Sequence, residues 1–206
     1  MLMRALLLLT FSALSIPPEQ VVQKLQQSWD NTLTFQAKFK QVIQSKRLGT
    51  REENTGKVTI KKPGHLLWDS TSERIQQILN DNRLVVIQAN LSKNNRSVDI
   101  FKDISGQISK GPLRFLSGKN KLKDSYQIKL LEEKKDRHVI NLIPLTPDSE
   151  QLVAEVLKSS YLLVALISEN SESRVRLDFS DIQTNRTVKD ALFQYQKEEK
   201  DIVTEQ

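Results

Sequence analysis

The side chains that could do chemistry are few in this 206-residue sequence. There is no Cys, which removes disulfides, thiolate nucleophiles, Cys metal sites and a lipid-modified N-terminal Cys together. The two His, His65 and His138, stand far apart, so a His-based triad or a His-rich metal centre is not expected. Neither G-x-S-x-G nor H-E-x-x-H occurs. Gly111 to Lys119 reads GPLRFLSGK, but six residues separate its glycines where a phosphate loop has four, and Asn120 stands where a magnesium-binding hydroxyl is needed. Glu52-Glu53 and Glu132-Glu133 are adjacent pairs in charged, turn-like surroundings. Paired catalytic carboxylates come from separate elements facing one cleft, so these pairs read as solvated turns. Asn95-Arg-Ser and Asn185-Arg-Thr fit a glycosylation sequon that matters only in a eukaryotic secretory pathway. The sequence points to no enzyme and no cofactor.

Lys and Arg number 31 against 25 acids, a formal charge of +6. Spread over a whole domain this is a mild excess. It gathers in two stretches. Lys38 to Lys62 holds eight bases and two acids, and Lys102 to Lys123 holds six bases and one acid. The plain reading is solvated outer faces of strands; the sharper one is docking to an acidic partner. Nucleic acid would need stacking aromatics among the bases, and they are scarce, so no nucleic-acid partner is expected.

The N-terminus reads as an address. Arg4 precedes an apolar run from Ala5 to Leu14, too short for a membrane-spanning helix of about 20 residues. Ala13 and Ser15 are small residues at −3 and −1 to a cut after Ser15, and Pro17-Pro18 opens polar sequence. This is the order of a secretory signal peptide. Residues 1–15 are thus expected to be removed, leaving 16–206 as a single soluble domain outside the cytoplasm.

The elements that would position any site follow from periodicity. Pro18 opens a helix whose apolar face is Val21, Val22, Leu25 and Trp29. From Leu33 the period becomes two, with Leu33, Phe35, Ala37 and Phe39 on one face of a strand. Gly56 opens a second strand with Val58 and Ile60 inward, Pro63-Gly64 marks a turn, and Leu66 to Trp68 resumes extended chain. A hairpin over Ile75–Ile87 and a strand at Val98–Phe101 follow. Pro112 can start a short helix that Gly118 stops. Five more short strands are expected between Tyr126 and Phe179, although Leu162–Ile167 also fits a buried helix. Regular short strands with turn signals indicate an all-β barrel or sandwich.

Phe35-Gln-Ala-Lys-Phe-Lys-Gln41, then Gly56-Lys-Val-Thr-Ile-Lys-Lys-Pro-Gly64, then Trp68, behind a signal peptide and one helix, resembles the periplasmic outer-membrane lipoprotein carrier family, LolA. The likeness continues at Arg176-Leu-Asp-Phe179, Asn185-Arg-Thr-Val188 and Phe193. It implies a mainly β fold with a few helices: an incomplete antiparallel β-barrel (half-barrel) with a helical lid over an apolar cavity. It implies a periplasmic monomer that takes acylated lipoprotein cargo from an inner-membrane lipoprotein-releasing ABC transporter to an outer-membrane acceptor. Independently, a carrier of acyl chains needs an apolar cavity, and the inward faces of a barrel supply one. The expected cavity residues are Phe35, Phe39, Val58, Ile60, Leu66 and Trp68.

The sequence departs from the family pattern in places. The family commonly has Arg just before the Pro, bonding lid carbonyls; here Lys62 takes the position of lid latch, without the planar fork of donors. Asp81-Asn82 replaces Asp-Gly, Val85 and Ile87 stand where aromatics are common, and a Pro shortly after Phe193 is missing. A membrane-anchored acceptor of the same fold needs an N-terminal Cys. The remaining alternative is an extracytoplasmic lipid- or lipoprotein-sensing protein with the same half-barrel. The first expected outcome concerns export: N-terminal sequencing of the exported form should begin at Ile16, and a membrane-bound form that keeps Met1 overturns the signal-peptide reading.

Overall fold

The computed structural model describes residues 17–104, 112–119, 121–146 and 150–206; the signal-peptide reading lies outside them. Helix α1 spans Pro18–Asp30 with Pro at its start, and its buried face is Val21, Leu25 and Trp29. Strands β1 (Thr34–Ser45), β2 (Arg51–Lys61), β3 (His65–Ser70), β4 (Ile75–Asn80), β5 (Arg83–Asn90) and β6 (Asn95–Phe101) follow as antiparallel neighbours. Two short helices, α2 (Pro112–Ser117) and α3 (Leu122–Ser125), precede β7 (Tyr126–Glu133), β8 (Arg137–Pro144), β9 (Leu152–Leu157), β10 (Leu163–Glu169) and β11 (Ser173–Thr184). A 3₁₀ turn at Asp190–Phe193 leads to β12 (Asp201–Glu205).

All twelve strands form one open sheet in the order β12-β6-β5-β4-β3-β2-β1-β11-β10-β9-β8-β7. Every pairing is antiparallel except the parallel contact of β12 with β6. The expected half-barrel is thus the fold, with a parallel strand added at one edge. The main core lies on the concave side. Phe35, Val58, Ile60, Leu66, Ile140 and Leu142 meet there beneath α1, α2 and α3. A smaller cluster on the opposite face joins Ile78, Val85, Ile87 and Ile100 to Val188 and Phe193. The chain after β11 is therefore strapped across the back of β3–β6.

Several readings change. Leu33 does not belong to the inward set: it is 62% exposed. The pleat begins only at Thr34, whose hydroxyl donates to Arg186 O at 2.7 Å. Leu33 N instead donates to Asn185 Oδ1 at 2.7 Å, and Asn185 Nδ2 donates to Asn31 O at 3.0 Å. That sequon asparagine ties the exit of α1 to the end of β11. Glu52-Glu53 is not a turn but part of β2, opposite Ile43 and Val42; Glu53 receives Lys40 at 2.7 Å. Glu132-Glu133 ends β7 beyond a bulge. Val85 and Ile87 face the C-terminal strap, away from the main core. Leu163–Glu169 is a strand whose central residues are buried on both faces, so alternation was erased.

Gly56 shows how the sheet admits large rings. It lies opposite Phe39 and Ser70. A Cβ there would collide with the Asp69 backbone oxygen and sit 2.8 Å from two ring carbons of Phe39. The Phe39 ring lies over this gap and stacks on Trp68 with centroids 3.7 Å apart. Gly56→Ala is expected to destabilise the fold by about 1–3 kcal/mol, the usual range for overpacking, read from urea unfolding. An unchanged midpoint would remove Gly56 from the packing of that face.

Candidate functional site

The site follows from the concave face. Phe35 and Phe39 stand four residues apart on one side of β1; on β2 Ile60 pairs with Phe35 and Val58 with Ala37 between them, and Leu66 and Trp68 come next on β3. The structure brings all six together in one buried cluster. Phe35 also packs edge-on against Phe179, with centroids 5.5 Å apart.

What covers this face is not a second sheet. Trp29, near the end of α1, stacks on Phe115 of α2 with centroids 4.5 Å apart and planes at 21°. Leu25, Leu122 and Tyr161 complete the cover. Between cover and sheet remains a cavity of about 10 Å³, bordered by Phe35, Leu142, Ala154 and Leu163. That is room for one water at most. Of the six expected cavity residues only Phe35 borders it; the other five touch the filled core. Among the described residues, Trp29 and Phe115 thus occupy most of the space between cover and sheet. The periodicity of Val21, Leu25 and Trp29 signalled that α1 buries one face, but a helical stripe does not say that its last aromatic fills a binding space.

Lys62 lies where this cover meets the sheet. Its backbone N donates to Leu33 O at 2.8 Å, which fixes the chain just after β2. Lys61 points to the back of the sheet, where it meets Asp190 at 2.5 Å. Lys62 turns the other way. Its stem runs under Gly118 at the end of α2, where a Cβ would lie 2.5–2.7 Å from three stem carbons. Gly118 has φ +58, a conformation that glycine adopts without penalty. The Lys62 Nζ donates to Trp29 O at 2.6 Å and stands 3.4 Å from the centre of the Trp29 ring. The last carbonyls of a helix lack partners within it and carry partial negative charge, so one lysine meets both a helix end and an aromatic face. Close by, Gly64 N donates to Ser117 O at 2.9 Å, hooking the end of α2 to the turn between β2 and β3.

Burial pulls the Lys62 ammonium down from its ordinary 10.5 to about 7, with Asp30 pulling the other way. Elsewhere the charges serve structure. On the outer face Glu155 receives Arg176 at 3.1 Å, Arg137 at 3.0 Å and Lys134 at 3.1 Å. Burial pushes that carboxyl up, but these bonds outweigh it and hold it down at about 2. Lys38 and Lys40 of the first basic stretch pair with Asp181 and Glu53, as solvated strand faces do. Among the described residues no three His, Asp or Glu side chains converge as metal ligands, and no helix is long and apolar enough to cross a membrane.

Comparison with known proteins adds the following. A family model described as outer membrane lipoprotein carrier protein LolA matches residues 30–196. The outer-membrane lipoprotein carrier protein of Pseudomonas putida (strain W619) is 24% identical over 208 residues, covering 94% of this chain and 95% of its own. That of Hahella chejuensis is 27% identical over 203 residues, covering 94% of each. A crystal structure of a LolA superfamily protein from Nitrosomonas europaea superposes over 88% of this chain and 99% of its own, with a TM-score of 0.46 and 14% identity.

The depressed proton affinity of Lys62 has a measurable sign. Between about pH 7 and 10.5 the unfolded chain holds a proton on Lys62 that the folded protein has released. Stability therefore rises with pH in that window, by at most about 1.4 kcal/mol per pH unit. The unfolding free energy of the wild type minus that of Lys62→Met should climb from neutral to alkaline pH. Parallel pH profiles for the two proteins would mean that Lys62 titrates as an exposed lysine.

Proposed function

Because the chain belongs to the outer-membrane lipoprotein carrier family, LolA, we propose that it is a periplasmic carrier for the acyl chains of lipoproteins. In this reading residues 1–15 direct export and 16–206 form the single carrier domain, acting as a monomer. Cargo arrives from an inner-membrane lipoprotein-releasing ABC transporter and leaves to an outer-membrane acceptor. No bond is made or broken.

One observation carries the reading: the apolar face of the sheet is filled by side chains of a cover, Trp29 and Phe115, that belongs to short helices outside the sheet. An acyl chain replaces these side chains with equally apolar atoms. Exchange of one apolar filling for another leaves the free energy of the face nearly unchanged. The protein is then soluble when empty and accepts cargo without unfolding its sheet. Phe35, Phe39, Val58, Ile60, Leu66 and Trp68 form the floor that the chains lie on.

Lys62 is the latch. Its bonds to Trp29 exist in the closed state and are lost when α1 lifts, so they favour the empty protein. A cargo that binds only the open state has its affinity reduced by the free energy of closing. That lowers retention and eases transfer to a stronger acceptor.

Native mass spectrometry of the protein taken from periplasm should find a bound acylated polypeptide. Recovery of the protein with a partner polypeptide that carries no acyl chain would favour the sensing alternative and defeat the carrier reading. Ile60→Glu places a charge on the floor, where burial is strongly unfavourable, and should abolish loading; a folded Ile60→Glu protein that loads like the wild type removes this face from the site. Lys62→Leu should load normally, hold cargo longer and transfer it more slowly. Unchanged transfer kinetics in a folded Lys62→Leu protein would reduce Lys62 to a packing residue.

A further inference from the structure

Among the described residues, the two ring nitrogens of His138 are the buried side-chain nitrogen or oxygen atoms left without a hydrogen-bond partner. The residue is 2% exposed. It shares the concave side of β8 with Ile140 and Leu142, which belong to the main core. A buried polar group left unpaired is destabilising by about 1–3 kcal/mol, and such a group calls for an explanation. Carriage of acyl chains makes no use of it.

Its surroundings link it to the cover. Tyr161, in the loop between β9 and β10, stacks on the imidazole with centroids 5.6 Å apart and planes at 18°. Tyr161 has φ +56, a conformation uncommon for a bulky residue and held only where the surroundings enforce it. The same Tyr161 borders the closed cavity. From above, α1 reaches this loop twice: Lys24 Nζ lies 5.7 Å from the Tyr161 ring centre, and Ser28 Oγ donates to Ser160 O at 3.3 Å. The lid helix thus rests on a loop that rests on the imidazole.

The charged groups around His138 are few. On β7, Glu133 Oε1 stands 3.8 Å from Nδ1, beyond hydrogen-bond reach. The other Glu133 oxygen meets Lys158, from the β9–β10 loop, at 3.2 Å. From α1 comes Lys24, on the Tyr161 ring. Arg137 turns to the outer face, to Glu155, and the β9 neighbour opposite is Val156. Burial lowers the proton affinity of the imidazole, Glu133 acts against this, and Lys158 adds to it.

We infer that His138 is a proton switch for the lid: neutral, it seats Tyr161 and the β9–β10 loop against the sheet, and protonated, it unseats them and frees α1. An imidazolium there needs water or the Glu133 carboxylate. Drawing Glu133 inward takes it from Lys158, which is the loop's ionic tie to β7. The closed state binds fewer protons than the open one, so closure is fully favoured above the ordinary histidine range and weakens as pH falls below about 6.5. This supplies the regulation of the proposed carrier cavity and rests on that reading for its purpose, although the opening itself needs no cargo.

The test uses hydrogen exchange on the empty protein. The amides of Tyr161 and Leu157 donate to Leu157 O at 2.8 Å and Leu162 O at 3.0 Å, and both bonds belong to the seated loop. Their protection factors, corrected for intrinsic exchange, should fall about tenfold between about pH 7.5 and about pH 5. His138→Phe keeps a ring under Tyr161 and should show no such fall. His138→Gln serves in the same role if the Phe variant fails to fold by circular dichroism. Wild-type protection that does not change with pH, or that falls equally in a folded variant, overturns the switch. Acid opening in a protein that never yields a bound lipoprotein keeps the switch and defeats the carrier reading; bound lipoprotein with pH-invariant protection does the reverse.

Discussion

An apolar sheet face must be covered, and this sheet does not close on itself to cover its own. Its edges are β12 and β7, at opposite ends of the strand order, so no strand pairing closes the concave face into a barrel lumen. The cover has to come from elsewhere in the chain. Among the described residues it comes from one thirteen-residue helix, two shorter ones and the β9–β10 loop, which contribute a handful of large side chains in place of a packed layer. Everything about the site follows from that shortage. Trp29 and Phe115 fill space that no strand fills, and they are tied to the sheet by few bonds.

Two charged contacts show the difference between the strap on the back of the sheet and the cover proposed to lift. On the back of the sheet, Asp201 of β12 receives Nε and Nη2 of Arg96, each at 2.7 Å, the Tyr195 hydroxyl at 2.7 Å and Glu198 N at 2.8 Å. Arg96 holds this carboxyl far below its usual range, although burial pushes it up. A carboxylate with its lone pairs filled in this way is strongly retained, and the C-terminal strand stays on the edge. On the concave side, Lys62 offers one described bond to a carbonyl and a ring face. Its burial works against its charge, and the carbonyl and indole offset that in part. The net stabilisation of such a contact is modest, which suits the latch proposed for Lys62.

Much of this was legible in the sequence, and the reasons are specific. Phe35, Ala37 and Phe39 alternate because one face of β1 is buried and the other meets water. Lys61 and Lys62 are identical in type, yet parity with Val58 and Ile60 sends them to opposite faces, as the structure places them. Where both faces share one environment, the pattern vanishes. Arg51 to Thr55 precedes Gly56 in β2 but is polar throughout, so the strand reads as a turn. β10 is apolar from Leu163 to Ile167, so a buried helix also fits there. Val85 and Ile87 alternate correctly, but alternation does not say which face they serve, and the strap carrying Val188 and Phe193 claims them. β12 has too few residues to show a period. The closed cavity and the unpaired His138 depend on what α1 and the β9–β10 loop place above the sheet, and no local spacing encodes that.

The lid helix is held near its C-terminal end by Lys62 and along its middle through Lys24 and Ser28 to the loop on His138. These contacts differ in chemistry but agree in sign. In each, the closed state lowers the proton affinity of a basic group by burying it. The proposed opening therefore takes up protons at both, through the alkaline range at Lys62 and below the ordinary histidine range at His138. Neither group opposes the other at any pH, so in the proposed opening no pH favours release of α1 at one of these contacts and its retention at the other. A proposed cover of few contacts gains cooperativity from that agreement: Lys62 and His138, far apart in sequence, bias it in the same direction because closure buries a base at each.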